Sequence, residues 1–427
     1  MIALAACASK KDKEVDLPTK LTPFAASLRA ERVWTAKVDD KKGAELRLGL
    51  GLAVDGDRVY AAGHKGDVVA LDLKTGRQIW RVRTKLQLAG GAGVSGGLVA
   101  VGSSRGDIIA LNSANGATLW KTRLNGEVLA APTISDRLIA VRTVDGKLHG
   151  LSPKDGHELW SQEQQVPRLS LRGTARPVFS GDLVLCGYDN GKVVAVSAGD
   201  GTVQWEATVA PPHGRTELER LVDIDSAVDV SGQDVYAVGF QGRVAMLALD
   251  TGQIWWSHEA SSYHGLGLDD DALYMATADG EVVALRRRTG AELWRQNALL
   301  HRRLSTVATL SDTVVVGDYQ GYVHWIDKAS GALVARASMG KGRISNPPIV
   351  VGNMTLVIND AGAIAAFRTT PIAGAKRAPA PKPPEPDATA APQAPAPTPD
   401  TTAAPAAPDA GVPPPAAETP AKPQSQN

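Results

Sequence analysis

The sequence predicts an all-β fold: an eight-bladed β-propeller of four-stranded antiparallel blades, closed into a ring by an N-terminal strand. One phrase recurs eight times: a Gly followed by an apolar run, a second Gly about ten residues later, and then an aromatic residue. The mean period of about 42 residues is typical of four-stranded propeller blades. No stretch has a sustained 3.6-residue apolar period, so we expect very little helix. The copies begin at Gly66, Gly106, Gly146, Gly191, Gly242, Gly280, Gly321 and Gly362.

Each repeat is predicted to contain four short strands joined by glycine turns. In the first complete copy, residues 57–62 are apolar and β-branched, and residues 68–71 follow a turn at Gly66. Several copies place Asp-Gly or Asn-Gly at that turn, which favours a hairpin because both residues tolerate a positive φ. The segment before each copy supplies the innermost strand, where a proline such as Pro132 is tolerated at a sheet edge.

The eighth repeat predicts how the ring closes. It contains only three predicted strands, at residues 345–351, 354–359 and 363–368. The missing fourth strand is expected at residues 31–38, which contain Trp34 and precede the first complete blade. Pairing of this segment with the last blade leaves few free sheet edges.

Most of the nine tryptophans occupy the aromatic position of the repeat. In the seventh copy Ala335 replaces the tryptophan, and Trp255 and Trp325 lie outside the pattern. We expect these indoles to pack between blades, since each buries about 150–250 Å². The alternative is one tryptophan stacked on a quinone cofactor in a central cavity. The repeat positions are held by Trp34, Trp80, Trp120, Trp160, Trp205, Trp256 and Trp294.

Composition and motifs argue against several functional classes. The 46 basic and 45 acidic residues nearly cancel, so there is no basic field for nucleic acid or an anionic membrane. The chain contains no run of 18 apolar residues, so no transmembrane helix is predicted. The eight histidines are scattered without metal-ligand spacing, and no Gly-x-Ser-x-Gly elbow occurs. We therefore predict no catalytic, cofactor or metal site, and a protein that is not an enzyme.

The two cysteines have different predicted roles. Cys186 lies in a predicted strand and is interpreted as a small core residue. Leu4–Cys7 resembles the lipobox of bacterial lipoproteins, in which the cysteine is acylated. This predicts that residues 1–6 are the remnant of a signal peptide whose native start lies upstream, and that residues 7–28 form a flexible tether. The alternative is a cytoplasmic protein with an ordinary N-terminus.

The composition changes again near residue 371. Residues 29–370 are assigned to the propeller, and residues 371–427 carry 17 of the 27 prolines with no aromatic residue. Such a segment buries too little apolar surface to fold, so a disordered, extended tail is predicted.

Local sequences add a family resemblance. Pro167–Gly173, Thr216–Asp225 and Leu299–Arg302, together with the repeats and the lipobox, resemble the BamB family, the propeller lipoproteins of the outer-membrane β-barrel assembly machinery. The resemblance covers roughly residues 30–370, and the tail departs from it. It implies a non-catalytic scaffold, anchored by lipid at Cys7 on the periplasmic face of the outer membrane. Such a scaffold assists the folding and insertion of outer-membrane proteins.

The resemblance also implies site residues. In that family a Leu-x-Leu-Arg phrase and an Asp pair contact the periplasmic POTRA domains of the barrel-forming BamA subunit. Carried over, these partner-binding positions are Leu169, Leu171, Arg172, Asp223 and Asp225.

The repeat register supports the same site independently. Aligning the fourth repeat on the fifth by their glycines places Arg172 at the position of Asp223, and Thr174 at that of Asp225. Equivalent positions of neighbouring blades lie on one face of the disk, so Arg172 and both aspartates are expected to cluster in the loops before the inner strands. The alternative is that both leucines are buried strand residues and that Arg172 only braces two blades.

Two other functional classes remain open at this stage. Quinone-dependent dehydrogenases are one class, because they share such repeats. Many of these enzymes carry a pair of adjacent cysteines, whereas this chain has no Cys-Cys pair. The second class is a periplasmic sensor or ligand-binding propeller. A protein of this class would be expected to carry a transmembrane anchor.

Overall fold

A computed structural model describes residues 16–38, 50–171 and 175–376. These residues contain eight antiparallel sheets of four strands each, so the predicted eight-bladed propeller is confirmed. The propeller lies in the first of two units of the chain, and the second unit, Glu385–Asn427, lies outside the described residues. No helix within the described ranges is long and apolar enough to cross a membrane.

Seven blades are built from consecutive strands, innermost first, as the repeats predict. Blades one to four contain β2 (Leu52–Asp55), β3 (Arg58–Ala62), β4 (Asp67–Asp72), β5 (Gln78–Arg83); β6 (Leu88–Ser95), β7 (Leu98–Ser103), β8 (Asp107–Asn112), β9 (Thr118–Arg123); β10 (Thr133–Ile134), β11 (Ile139–Arg142), β12 (Lys147–Leu151), β13 (Glu158–Glu163); and β14 (Val178–Ser180), β15 (Leu183–Gly187), β16 (Lys192–Ser197), β17 (Val203–Thr208).

The remaining blades repeat this order, except that the outermost strand of the eighth is β1 (Leu28–Lys37). Blades five to eight contain β18 (Asp229–Ser231), β19 (Asp234–Val238), β20 (Gly242–Ala248), β21 (Ile254–Ala260); β22 (Leu266–Leu268), β23 (Ala272–Ala276), β24 (Val282–Arg286), β25 (Glu292–Gln296); β26 (Ala308–Leu310), β27 (Thr313–Gly317), β28 (Tyr322–Asp327), β29 (Leu333–Ser338); and β30 (Ile349–Val351), β31 (Met354–Ile358), β32 (Ala363–Pro371).

The ring closes where the sequence predicts. β1 pairs antiparallel with β32, with Trp34 opposite Ala366 and a register shift between Arg32 and Trp34. The sheet order β1-β32-β31-β30 unites the two ends of the propeller in one blade. Closure therefore depends on a strand that is more than 300 residues away in sequence from its partner, as the Arg32–Ser338 side-chain contact also illustrates.

Each repeat tryptophan connects its blade to the next one. The indole nitrogen of Trp80 donates a hydrogen bond of 2.9 Å to the Ser113 carbonyl of the second blade. The face of the same ring lies against Gly116, where an added Cβ would come within 2.9 Å of the indole and where φ is +75°. Glycine is required at this turn for both its conformation and its lack of a side chain. The other repeat tryptophans make the equivalent bond: Trp34, Trp120, Trp160, Trp205, Trp256 and Trp294.

The seventh blade departs from this pattern for a geometric reason. In most blades a small residue lies opposite the tryptophan, as Ala110 lies opposite Trp120. In the seventh blade the pair is reversed, and Trp325 lies opposite Ala335. The other repeat tryptophans pack on the hairpin turn between the third and fourth strands of the next blade, and a tryptophan at position 335 would need the same turn for its packing and its N–H bond. The eighth blade has no such hairpin, because its third and fourth strands, β32 and β1, come from opposite ends of the propeller.

Residues before β1 lie along the seventh blade. Buried Arg302 binds the Asp318 carboxylate through Nε and Nη2, at 2.9 and 2.7 Å, and donates from Nη1 to the Thr19 carbonyl. Arg336 donates to the Thr22 carbonyl in the same way and covers the ring of Phe24. The phrase Leu299–Arg302 therefore supplies a contact for the N-terminal segment. The division into tether, propeller and tail stays a prediction.

Candidate functional site

The loops that precede the inner strands meet at one face of the ring. They surround a cavity of about 840 Å³ to which all eight blades contribute, and both Leu171 and Asp225 line it. The two residues come from the connections into the fourth and fifth blades. Equivalent connections enter their inner strands at the same end, which is why residues about fifty positions apart share this face. We call it the channel face.

The two predicted leucines are accessible. Leu169 is 42% exposed, and Leu171 is half-buried in the lining of the cavity. Neither lies in a strand. The alternative in which both leucines are buried strand residues is therefore wrong for this structure. Arg172 lies outside the described residues, as does Cys7, so their roles stay predictions.

Asp223 is placed differently from the leucines. Its side chain is completely buried, and its main chain connects two blades, because its carbonyl accepts from the Phe240 amide at 2.8 Å. Among the described residues, which leave out 172–174, neither carboxylate oxygen has a hydrogen-bond partner of normal geometry. Burial first, and then the neighbouring Asp189 and Asp225, raise the pKa of Asp223 to about 8, although Arg142 and the nearby Leu171 amide oppose this shift. A carboxyl in this position cannot itself touch a docked protein.

Arg142 is a buried charged group that acts on this carboxyl. The guanidinium is buried, donates from Nη2 to Asp189 and lies 5.0 Å from the centre of the Tyr188 ring. Burial works against its charge, but neighbouring groups, Cys186 and Asp189 first, raise the pKa of Arg142 above its usual value. Arg142 belongs to the third blade, Asp189 to the fourth and Asp223 to the connection into the fifth. The Arg142–Asp189 ion pair thus joins the third and fourth blades, with the Asp223 carboxyl within its electrostatic reach.

Two further apolar side chains in these loops, Leu218 and Tyr263, are exposed and are not among the predicted site residues. Leu218 is 66% exposed at the tip of a turn in which Glu219 accepts from the amides of Arg215 and Thr216. Tyr263 stacks on Phe240 with ring centres 4.4 Å apart and also lines the cavity. The Thr-x-x-Glu spacing at 216–219 is a capping signal that predicts an ordered turn. No comparable signal marks Tyr263, because its stacking partner comes from the previous blade.

The remaining chemistry of this region is limited. Cys186 is buried on β15, as predicted, and burial raises the pKa of its thiol to about 11. Within the described ranges, no group of three or more His, Cys, Asp or Glu side chains is arranged to hold a metal ion.

Comparison with known proteins agrees with this architecture. The family model described as outer membrane protein assembly factor BamB matches residues 24–83, 64–296 and 278–371. A relative in Pseudomonas aeruginosa with that name is 46% identical over 366 residues, which cover 86% of this chain and 96% of the relative. A second, in Bordetella pertussis, is 33% identical over 370 residues, covering 86% and 95%.

Solved structures show the same fold. The crystal structure of BamB from Moraxella catarrhalis superposes with a TM-score of 0.73 at 28% identity, over 80% of this chain and all of that one. Quinohemoprotein alcohol dehydrogenase from Comamonas testosteroni gives a TM-score of 0.62 at 12% identity, over 83% of this chain and 78% of the enzyme, a likeness of fold alone. The family match extends over the whole ring, from the N-terminal closing strand to the last strand of the eighth blade, and the chain belongs to the family of the outer membrane protein assembly factor BamB.

Proposed function

We propose that this chain is an outer membrane protein assembly factor that works as a non-catalytic scaffold. It binds the periplasmic POTRA domains of a BamA-like insertase and so assists the folding and insertion of outer-membrane proteins. The observation that carries the proposal is the exposure of Leu169 close in sequence to the half-buried Leu171, which lines the same cavity as Asp225. The names of its relatives agree with this role.

The physical basis is the usual anatomy of an interface. A few apolar side chains supply most of the binding energy, and polar groups around them exclude water and fix the register. Leu169 and Leu171 are the anchors, and Asp225, with Arg172, supplies the polar rim. Buried Asp223 acts as a positioning residue, because its carbonyl accepts from the Phe240 amide of the fifth blade while the next amide, that of Ile224, donates to the Tyr188 carbonyl of the fourth.

A matched pair of substitutions tests the leucine anchor. We expect Leu169→Glu to weaken binding to purified POTRA domains by at least about tenfold, since hot-spot residues contribute roughly 2 kcal/mol or more. The control is Leu119→Glu, which introduces the same charge at a leucine that is 50% exposed on the outer strand β9. Binding is measured by biolayer interferometry, and folding by thermal unfolding.

The outcomes separate binding from folding. Both variants keep the wild-type Tm within a few degrees, because both leucines are already exposed. Equal binding by Leu169→Glu and the wild type removes the channel face from the interface. Equal losses in both variants indicate a non-specific effect of charge.

We further propose attachment to the outer membrane, on its periplasmic face, through acylated Cys7. The Leu4–Cys7 phrase supports this assignment. Labelling of the full-length gene product with a radioactive fatty acid tests it: label is expected on the wild type and absent from Cys7→Ser. Label that persists in Cys7→Ser refutes the anchor.

A further inference from the structure

Arginine side chains line the cavity, and acidic side chains act on two of them without direct contact, Asp229 on Arg176 and Asp360 on Arg343. Arg176, Arg303 and Arg343 all line the cavity. In the described part of the chain none of their guanidinium groups makes a hydrogen bond, or an ion pair within 4.0 Å. Arg302 beside them shows the contrast, since its guanidinium binds Asp318 and two other acceptors. Arg343 is half-buried, whereas Arg176 and Arg303 are exposed to the cavity, and a guanidinium in an enclosed position normally has a direct acidic partner.

Two further donors in the same wall lack acceptors. Asn346 is only 4% exposed, lines the cavity, and has no partner for its amide nitrogen. The Nε atom of Arg343 is likewise buried without a partner. Buried polar groups are almost always hydrogen-bonded, so unsatisfied donors at the edge of a cavity indicate a missing acceptor.

The local charge favours an anion. Burial lowers the pKa of Arg343, and the nearby Arg303 lowers it further, while Asp360 opposes the shift. Burial and Arg343 lower the pKa of His264 to about 4, so this imidazole is neutral at pH 7. The lining carboxylates, Asp225 and Asp229, lie at the start of the fifth blade near Arg176, whereas Arg303, Arg343 and Asn346 lie in the connections into the seventh and eighth blades.

We propose that the wall formed by Arg303, Arg343 and Asn346 is a binding site for a small organic anion with a carboxylate or phosphate group. Both groups accept the charge-assisted hydrogen bonds that guanidinium donors make in a fixed fork. The cavity volume of about 840 Å³ lies within the range of small-molecule sites. Leu171 of the leucine anchor lines the same cavity, but the site uses other residues and does not depend on the proposed function.

Titration calorimetry at constant ionic strength tests the site on the full chain. The probes are citrate, which carries carboxylates, and pyrophosphate, which carries phosphates. We expect saturable binding of at least one probe with a stoichiometry of one, and a loss of at least about tenfold in Arg343→Ala, since it removes a charge-assisted contact. Asn346→Leu is expected to weaken binding less, because it removes a neutral donor. The probe that binds identifies which of the two groups the site prefers.

The control is Arg123→Ala, because Arg123 is exposed at the end of outer strand β9, away from the cavity. It is expected to bind the probes as the wild type does. The absence of saturable binding of either probe overturns the proposal, and so does an equal loss in Arg123→Ala. If Arg343→Ala fails to fold, Arg303→Ala replaces it, since that side chain is exposed to the cavity. Leu169→Glu must bind the probes normally, which separates this site from the partner interface.

Discussion

Asp223 shows how a side chain of the candidate site acts from beneath the surface. The family resemblance places it in the interface, yet its carboxyl is buried and is influenced by the charges of Asp189, Asp225 and Arg142. A carboxyl that gains no hydrogen bond on burial favours its protonated form. Its contribution is therefore to the geometry of the connection between the fourth and fifth blades.

The raised pKa of Asp223 predicts a specific pH dependence of stability. Between about pH 4, where an unfolded aspartate ionises, and its folded pKa of about 8, the folded state holds a proton that the unfolded state has lost. Stability from this group therefore falls as pH rises through that range. Asp223→Asn removes the dependence, so the Tm of the variant minus that of the wild type is expected to increase from pH 5 to pH 8.

Thermal unfolding at several pH values measures this difference. Asp229 has a pKa raised to about 7, chiefly by burial, and its effect has the same sign. Asp229 is present in both the wild type and Asp223→Asn, so its effect on Tm cancels in the difference between the two proteins. A difference in Tm that does not change with pH contradicts a protonated Asp223 and indicates an ionised carboxylate.

At the level of secondary structure, the stabilising unit is a tryptophan on the outer strand of one blade and a glycine turn in the next. The indole fills the gap between blades and satisfies its N–H on the neighbouring turn, as Trp120 does on the Pro153 carbonyl. Gly156 allows this contact, since a Cβ there would lie 2.4 Å from the Trp120 ring. The pair explains why the two positions recur together in the repeat.

Truncation of such a tryptophan is expected to destabilise the protein strongly. Trp120→Ala leaves a cavity between the second and third blades and is expected to cost about 3–5 kcal/mol. The matched control is Trp255→Ala, because Trp255 is 58% exposed and its loss is expected to cost under about 0.5 kcal/mol. Urea unfolding followed by circular dichroism compares them. Equal costs contradict the role of the repeat tryptophans as packing between blades.

At the scale of the whole molecule, the ring is held shut by the β1–β32 pairing. Every blade packs on two neighbours only because this strand joins the two ends, and its removal exposes the edge of β32. Unpaired edges recruit strands from other molecules.

Removal of residues up to Lys37 is therefore expected to lower the Tm by more than a single tryptophan substitution does and to produce concentration-dependent oligomers. A matched deletion that ends at Val15 keeps β1 and is expected to remain unchanged in both respects. Size-exclusion chromatography with light scattering measures the association. A monomeric, equally stable protein without β1 contradicts the role of this strand in closure.

The sequence by itself determined the number of blades, the strand order within them, the closing strand and the packing role of the tryptophans. These follow from local periodicity, because each blade is a continuous segment whose turns and apolar positions recur at nearly constant spacing. The repeat pattern also shows that Ala335 replaces a tryptophan. The cause, which is the absence of a hairpin between the third and fourth strands of the eighth blade, is seen only in the structure.

Only the tertiary structure decided which side chains of the candidate site reach solvent. It exposes Leu169, places Leu171 and Asp225 on one cavity, and buries Asp223. It also brings Arg303, Arg343 and Asn346 together on one cavity, without a direct ion pair among the described residues. These relations join residues of neighbouring blades, about 40 to 50 positions apart, and burial and charge at such distances depend on how the blades pack, which no local pattern in the chain records.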